Sequence, residues 1–414
     1  MTARFLVTAV GCLSAPIAPD IPGLDGFDGE IYFTATWPRD GVDFTGKRVA
    51  LVGTGSSGIQ ATPPIAAQAD HLTVFQRTPN YSLPARHGGF LAEDQARIKS
   101  NYDEIFAATR KSFAGFPYSP IDRATMSVSA EEREAILGGL WEEGGFKFLW
   151  GGFSDLLSDP DANDIASEYI RNKIRETVHD PHTAELLCPK GYPYGAKRPP
   201  IDTDYYETFN RDNVNLVDIS ETPIESITPT GLQTTAGNFE FDVIVFATGF
   251  DAMTGSLLRM DVQGADGLRL ADAWADGPRT MLGLQVAGFP NLFTVTGPGS
   301  PSVLMNMPVA IEYHVDWIAE CIDYMREHGW RRIEATEQAQ DAWVEHVAEV
   351  GQHSLFGRAN SWYVGANIPG KPRVVMPYAG GQPSYRERCT AVRDSGYEGF
   401  EFGGIAHDPV VPAR

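Results

Sequence analysis

Short apolar runs separated by polar, glycine-bearing turns mark the first part of the chain, the pattern of buried strands in an α/β fold. Phe5-Leu-Val-Thr-Ala-Val-Gly-Cys12 is the first run, Val49-Ala-Leu-Val52 the second and Leu72-Thr-Val-Phe75 the third. Between the second and third lies a Gly-rich turn that opens a helix from about Ser56, so this stretch reads as a βαβ unit. The pattern changes near residue 90. Ala92–Ser112, Ala130–Trp141 and Ile165–His179 have helical spacing, with Ser129, Asp161 and Asn163 as expected caps. From Gly191 the mixed pattern returns, and Phe239–Phe246 predicts a hairpin partner followed by a buried strand. Residues 308–328 predict a long amphipathic helix, with Ile311, Val315, Ile318, Cys321, Ile322 and Met325 on one face. A helix over 338–350 follows, and the Gly/Pro/aromatic tail from 360 predicts ordered loops with short strands.

The first apolar run has two readings. With Met1–Arg4 before it, and Ala9-Val-Gly-Cys12 inside it, it resembles a secretion signal with a lipoprotein box. It is short for a signal, and it continues into the Pro-punctuated segment Ser14–Gly23, so an internal buried parallel strand is the expectation. Composition narrows the rest. The chain holds 33 Lys+Arg against 54 Asp+Glu, a net charge of −21, which argues against nucleic acid or an anionic membrane as a partner. Apolar residues at 43% suffice for packed cores, and no apolar run reaches the roughly 18 residues of a membrane span. Cys12, Cys188, Cys321 and Cys389 are far apart in sequence, which disfavours a disulfide scaffold or a cysteine zinc site and fits a reducing cytoplasm. The histidines show no metal-ligand spacing, so no metal is expected. At 414 residues, two to three domains of about 150 residues are expected.

Gly53-Thr54-Gly55-Ser56-Ser57-Gly58 is G-x-G-x-x-G, and it stands in the context the motif requires, after a strand and before a helix. Gly53 allows the tight turn, Gly55 lets a pyrophosphate approach the backbone, and Gly58 lets the helix pack on the strand. A purely structural turn is the competing reading. About 20 residues on, where an NAD enzyme carries Asp or Glu, the chain has Gln76-Arg77-Thr78. A guanidinium there suits a 2′-phosphate, so NADP is favoured. Ala247-Thr248-Gly249 ends a buried strand in small residues, Lys197-Arg198-Pro199-Pro200 pairs cations with stiffening prolines, and Gly297-Pro298-Gly299 leads toward a helix. These residues alone support a two-lobed, NADP-using oxidoreductase.

Phe27-Asp-Gly29-Glu-Ile-Tyr-Phe33-Thr-Ala-Thr-Trp37-Pro38 resembles the fingerprint F-x-G-x-x-x-H-x-x-x-W-[PD] of type I Baeyer–Villiger monooxygenases. The glycine turn directly after it, the strand Asp242–Phe250, the loop Tyr194–Pro199 and the stretch Ala359–Pro372 match the family in order, over essentially the whole chain. The match looks closest to phenylacetone monooxygenase and its cyclic- and steroid-ketone relatives. The resemblance implies an α/β fold with two Rossmann-like dinucleotide-binding domains and a helical insertion. It implies FAD and NADP as cofactors, and oxidation of a ketone by NADPH and O2 to an ester or lactone through a C4a-peroxyflavin. Arg198 would be the catalytic arginine. Lys197 and Arg77 would grip the 2′-phosphate beside Thr78. Trp362 would contact the nicotinamide side. Gly297, Pro298, Asn306 and Met307 would lie near the isoalloxazine, with Thr248 and Gly249 in the second cofactor signature, and Ser302, Val303 and Leu304 would line the substrate pocket.

Two departures accompany the resemblance. Phe33 stands where the family has His, and Phe has no hydrogen-bonding nitrogen, so weakened coupling or altered NADPH control is expected. No second G-x-G-x-x-G precedes Phe27, and the acidic partner that the family gives Arg198 is absent. The FAD domain is therefore expected to be incomplete, the chain an N-terminally shortened form, and FAD held poorly. The expected domains are an incomplete FAD-type domain at 1–40 and 248–414, an NADP-binding domain at 41–88 and 191–247, and a helical insertion at 89–190. The alternatives are an inactive NADP-binding remnant and a flavin monooxygenase acting on N or S atoms.

Overall fold

The computed structural model describes residues 2–89 and 91–405. Contacts divide them into two compact units. Residues 16–89 and 121–250 form one, called the sheet unit below; residues up to 15, 91–120 and from 251 onward form the other, the helix unit.

The centre of the sheet unit is a five-stranded sheet in the order Glu30–Phe33, Val243–Phe246, Arg48–Val52, His71–Gln76, Val214–Asp218. Every pairing in it is parallel. Val49, Ala50, Leu51 and Val243, Ile244, Val245 are wholly buried, which is why these strands read as unbroken apolar runs. Arg48 fixes the register of the two central strands. Its backbone N–H donates to the Asp242 carboxylate at 2.8 Å, and its guanidinium bonds Asp242 and Glu240 at 3.0 Å each. The helix Ser56–Gln68 makes the crossover from Arg48–Val52 to His71–Gln76, burying Ile59, Thr62, Ile65 and Ala66 at helical spacing. A three-stranded antiparallel meander, Ile224–Thr228, Gly231–Thr234 and Gly237–Glu240, caps a core that includes Phe75, Leu232, Phe241 and Phe246.

The same unit holds the helices Ala130–Glu143, Pro160–Thr177 and Pro181–Leu187. Ser129 caps the first as expected, accepting from the Glu132 N–H. The second begins earlier than its periodicity suggested. Asp159, not Asp161 or Asn163, is its cap, with Pro160 in the first turn where a missing N–H costs nothing. Asn163 is 1% exposed and has another use, described below.

In the helix unit the long helix spans Met307–Glu327, followed by Glu337–Gln352. Trp317, Ile318, Cys321, Met325, Trp343, Val347, Tyr385 and Cys389 share one core. Ile311 and Val315 do not join it and are exposed. Tyr385 and Cys389 belong to a helix, Gly381–Asp394, in the tail expected to be loops and short strands. Its apolar positions are few and its glycines and proline crowd the start, which hid the spacing. The N-terminal strand is Leu6–Thr8, parallel to Leu292–Thr294 as expected of an internal strand. It is not buried as expected: with one partner strand, Leu6 and Val7 remain 54% and 43% exposed, and Thr8 alone is covered. The helical stretch 89–190 is shared between the units: Ala92–Ser100 and Tyr102–Lys111 pack with the helix unit, the later helices with the sheet unit. Residues 16–40 likewise go with the sheet unit, because Glu30–Phe33 pairs with Val243–Phe246. Among the described residues, no helix is long and apolar enough to cross a membrane.

Candidate functional site

The glycine turn follows the C-terminal end of Arg48–Val52, the middle strand of the sheet. Gly53 has φ +111°, and a Cβ there would lie 2.6 Å from the Ala247 carbonyl oxygen, so only glycine fits. A Cβ on Gly58 would sit 1.9 Å from the Gly53 carbonyl oxygen, which explains the third glycine as close helix–strand packing. Gly55 differs. A Cβ on it meets no atom within 4 Å, so this position faces open space at the helix start. The helix has no side-chain cap and no acidic residue in its first turn, so the N–H groups around Ser56 and Ser57 lack a side-chain acceptor. Thr54 donates its hydroxyl to the Thr78 carbonyl at 2.9 Å, pinning the turn to the end of the next strand. There the Gln76 amide is engaged with the Leu186 carbonyl at 2.7 Å, while Arg77 is exposed. This turn, with its open glycine and uncapped helix, fits a dinucleotide pyrophosphate.

The Lys197–Arg198 loop belongs to the same unit and is held on three sides. Asn163 faces its start: the side-chain amide donates to the Tyr194 carbonyl at 2.8 Å and its oxygen accepts from the Tyr194 N–H at 2.8 Å. Its end enters a short strand, Ile201–Asp202, parallel to Leu83–Pro84. Here the Leu83 N–H donates to the Pro200 carbonyl at 2.9 Å, and Ser82 bonds the Asp202 carboxyl. Burial pushes the Asp202 carboxyl up to about 6, against the bonds from Ser82 and the Tyr205 N–H. Beneath the loop, Tyr192 presents its ring 4.5 Å from the Lys197 ammonium, and Phe146 lies 4.9 Å from the Arg198 guanidinium. Among the described residues no carboxylate is within ion-pair distance of Lys197 or Arg77. The Lys197 ammonium is pushed below its ordinary value by burial and by Arg77. Cations that approach one another without a carboxylate between them make a site for an anion.

The remaining expected residues divide between the units. Thr248 and Gly249 are in the sheet unit, where the Thr248 hydroxyl donates to the Ile17 carbonyl at 2.9 Å. Gly297, Pro298, Asn306, Met307 and Trp362 are in the helix unit, as are Ser302, Val303 and Leu304. Loop 296–302 is densely tied. The Thr296 N–H donates to His314 Nδ1 at 2.8 Å, Thr280 to the Pro298 carbonyl at 2.7 Å, and the Trp343 indole to the Gly299 carbonyl at 3.0 Å. His314 is fully buried, with its second nitrogen 2.8 Å from the Tyr385 hydroxyl, and burial pushes its pKa down to about 3. Gly297 is explained by packing, since a Cβ would lie 2.6 Å from the Gly283 carbonyl oxygen. Among the described residues no group of His, Cys, Asp or Glu could hold a metal.

No family model matches the chain. Individual relatives do. It is 44% identical over 400 residues to a cyclopentanone 1,2-monooxygenase of Comamonas sp. (strain NCIMB 9872), covering 96% of this chain and 73% of the relative. It is 44% identical over 415 residues to a cyclohexanone 1,2-monooxygenase of Acinetobacter sp., covering 100% and 76%. The solved structure of an oxidized steroid monooxygenase bound to NADP superposes with a TM-score of 0.92 at 50% identity, covering 96% of this chain and 75% of that one. The chain belongs to the flavin-dependent Baeyer–Villiger monooxygenases. Its fold and motif order are those of NADPH-dependent flavoprotein monooxygenases, and it spans about three quarters of the length of these relatives.

The Baeyer–Villiger fingerprint lies along the outer strand of the sheet. Phe33 ends that strand, and Trp37 packs its ring against Tyr32 and Phe44 at 5.8 and 6.1 Å. The sequence reading missed Asn163, Tyr192 and Asp202, whose contacts hold the Lys197–Arg198 loop. Tyr192 and Asp202 flank the loop within a few residues, a proximity that could have singled them out. Asn163, some thirty residues away on a helix, carried no such signal.

Proposed function

We propose that the protein inserts one oxygen atom of O2 beside the carbonyl of a small ketone. Ketone, O2, NADPH and a proton give an ester or lactone, NADP+ and water. The observation that carries this reading is the anion site at the glycine turn, with Lys197 and Arg77 left without carboxylate partners among the described residues, in a chain of this family. Gly53–Gly58 would hold the NADP pyrophosphate, and Lys197 and Arg77, beside Thr78, its 2′-phosphate. Bound FAD supplies the oxygen-activating chemistry. Gly297, Pro298, Asn306, Met307, Thr248 and Gly249 would contribute to its site and Trp362 to the nicotinamide side, although the sequence before Phe27 has no second phosphate-binding turn.

Arg198 would stabilise negative charge on the reacting oxygens. Its guanidinium lies over the Phe146 ring, where it is partly shielded from water, which strengthens its field. Ser302, Val303 and Leu304, all buried, would bound the substrate. We place the substrate among the ketones of phenylacetone monooxygenase and its cyclic- and steroid-ketone relatives, and the protein in the cytoplasm. The test is product analysis with NADPH, FAD and either cyclopentanone or cyclohexanone, and lactone is expected. A relative 42% identical over 401 residues is a phenazine N-monooxygenase of Lysobacter antibioticus, which favours N-oxidation as a second reading. N-oxide formed in place of lactone would select it. NADP+ binding with neither product would point to an inactive remnant.

A further inference from the structure

We infer that Tyr192 is a positioning residue that sets the preference for a 2′-phosphorylated dinucleotide, because it joins the loop carrying Lys197 to the loop carrying Arg77. This rests on the NADP reading of the preceding section and extends it to a residue outside the family motifs. The ring face lies 4.5 Å from the Lys197 ammonium. At its far end the hydroxyl donates to the Pro79 carbonyl at 2.7 Å, two residues beyond Arg77. One side chain thus fixes the reach of one cation against the backbone of the other. Tyr192 is held in turn. The Tyr81 ring meets it edge to face at 5.4 Å, and Arg171, from the Pro160–Thr177 helix, donates to the Tyr81 hydroxyl at 3.0 Å.

The choice of an aromatic support has a physical reason. Two cations brought together repel, and Lys197 needs an attractive partner to stay in place. A carboxylate would provide one but would cancel the charge that a phosphate must meet. An aromatic face attracts the ammonium through its quadrupole and leaves its full charge available. The phenol is suited to this because its hydroxyl remains free to bond Pro79.

The experiment measures dissociation constants of NADP+, NAD+ and adenosine 2′,5′-bisphosphate for the full chain and for Lys197→Ala, Tyr192→Leu and Tyr192→Phe. Tyr192→Leu removes the ring and is expected to weaken NADP+ and the bisphosphate about tenfold, with NAD+ within about twofold. Tyr192→Phe keeps the ring but frees it from Pro79, and is expected to lower the NADP+/NAD+ preference about threefold. That variant carries the test if the Leu variant does not fold. Equal weakening of NADP+ and NAD+, or an unchanged preference in both Tyr192 variants while Lys197→Ala loses it, overturns the role of Tyr192 and leaves the NADP reading standing. A parent protein with no preference for NADP+ overturns both.

Discussion

The ring of Phe33 stacks on that of Phe246, centroids 5.5 Å apart and planes 21° apart, across a parallel strand pair that places the two residues directly opposite. Phe246 continues into Ala247, the residue whose carbonyl leaves no room for a side chain at Gly53. The fingerprint position therefore braces the strand on which the glycine turn rests. Phe33→His removes part of this stacking and is expected to cost about 1 kcal/mol of stability. In an FAD-loaded form it is expected to raise the yield of product per NADPH consumed. Thermal melting and product-to-NADPH ratios check the two parts, and unchanged coupling would refute the second.

Two of the motif glycines, Gly58 and Gly55, should separate by experiment. Gly58→Ala drives a methyl into the Gly53 carbonyl and is expected to destabilise by more than about 2 kcal/mol, or to prevent folding. Gly55→Ala places its methyl in open space, at a φ of −82° that alanine adopts readily. Its melting temperature is expected to stay within a few degrees of the parent while NADP+ affinity falls, measured by titration.

Arg198→Ala is expected to lower lactone formation by at least about a hundredfold, as for loss of a charged donor to a reacting oxygen. NADP+ affinity should change little, because Lys197 and Arg77 remain. Lactone formation within a few-fold of the parent would remove Arg198 from the chemistry.

Asp202 gives a pH signature. Its folded-state pKa of about 6 lies above the ordinary 3.8, so the folded protein holds this proton more tightly than the unfolded chain. Burial is the main cause, and the carboxylates of Asp204 and Glu207 act in the same direction. The stability it contributes is full below about pH 4 and is lost as pH rises through about 6. Asp202→Asn does not titrate. The stability of the parent relative to this variant should fall by roughly 2 kcal/mol from pH 4 to pH 7, read by denaturant unfolding at each pH.

Asn163→Leu leaves the buried Tyr194 carbonyl without its donor and the Tyr194 N–H with only its longer, 3.3 Å bond to Ser167, and is expected to cost about 2 kcal/mol. If the amide holds the Arg198 loop, turnover in the folded variant falls more than NADP+ affinity does. Turnover and affinity changing in step would mean a purely structural role.

The chain order of apolar runs and turns was enough to read the βαβ unit, because parallel strands buried on both faces must be apolar throughout and Gly53 and Gly58 between them leave no room for a side chain. Val49–Val52, Leu72–Phe75 and Gly53–Gly58 therefore stand in sequence as they stand in space. The Ser129 cap and the long helix near 308–328 were legible for the same reason: caps and helical stripes are local. Asp159 was passed over although its cap bond, to the Ala162 N–H, is local, because Asp161 and Asn163 beside it are equally good cap residues by type. The helix Gly381–Asp394 was hidden for a different reason: its apolar positions Tyr385 and Cys389 gain meaning only against the distant Trp317 and Trp343.

By itself, then, the sequence determined the α/β class, the glycine turn in its strand–helix context, and the family, since each is written in neighbouring residues. Tertiary structure alone decided how the Lys197–Arg198 loop is held. Asn163 reaches Tyr194, Tyr192 spans from Lys197 to Pro79, and Ser82 meets Asp202 across gaps of 31, 113 and 120 residues. Hydrogen bonds and cation–ring contacts act over a few ångströms, and no local pattern records which distant segment the fold will bring within that range.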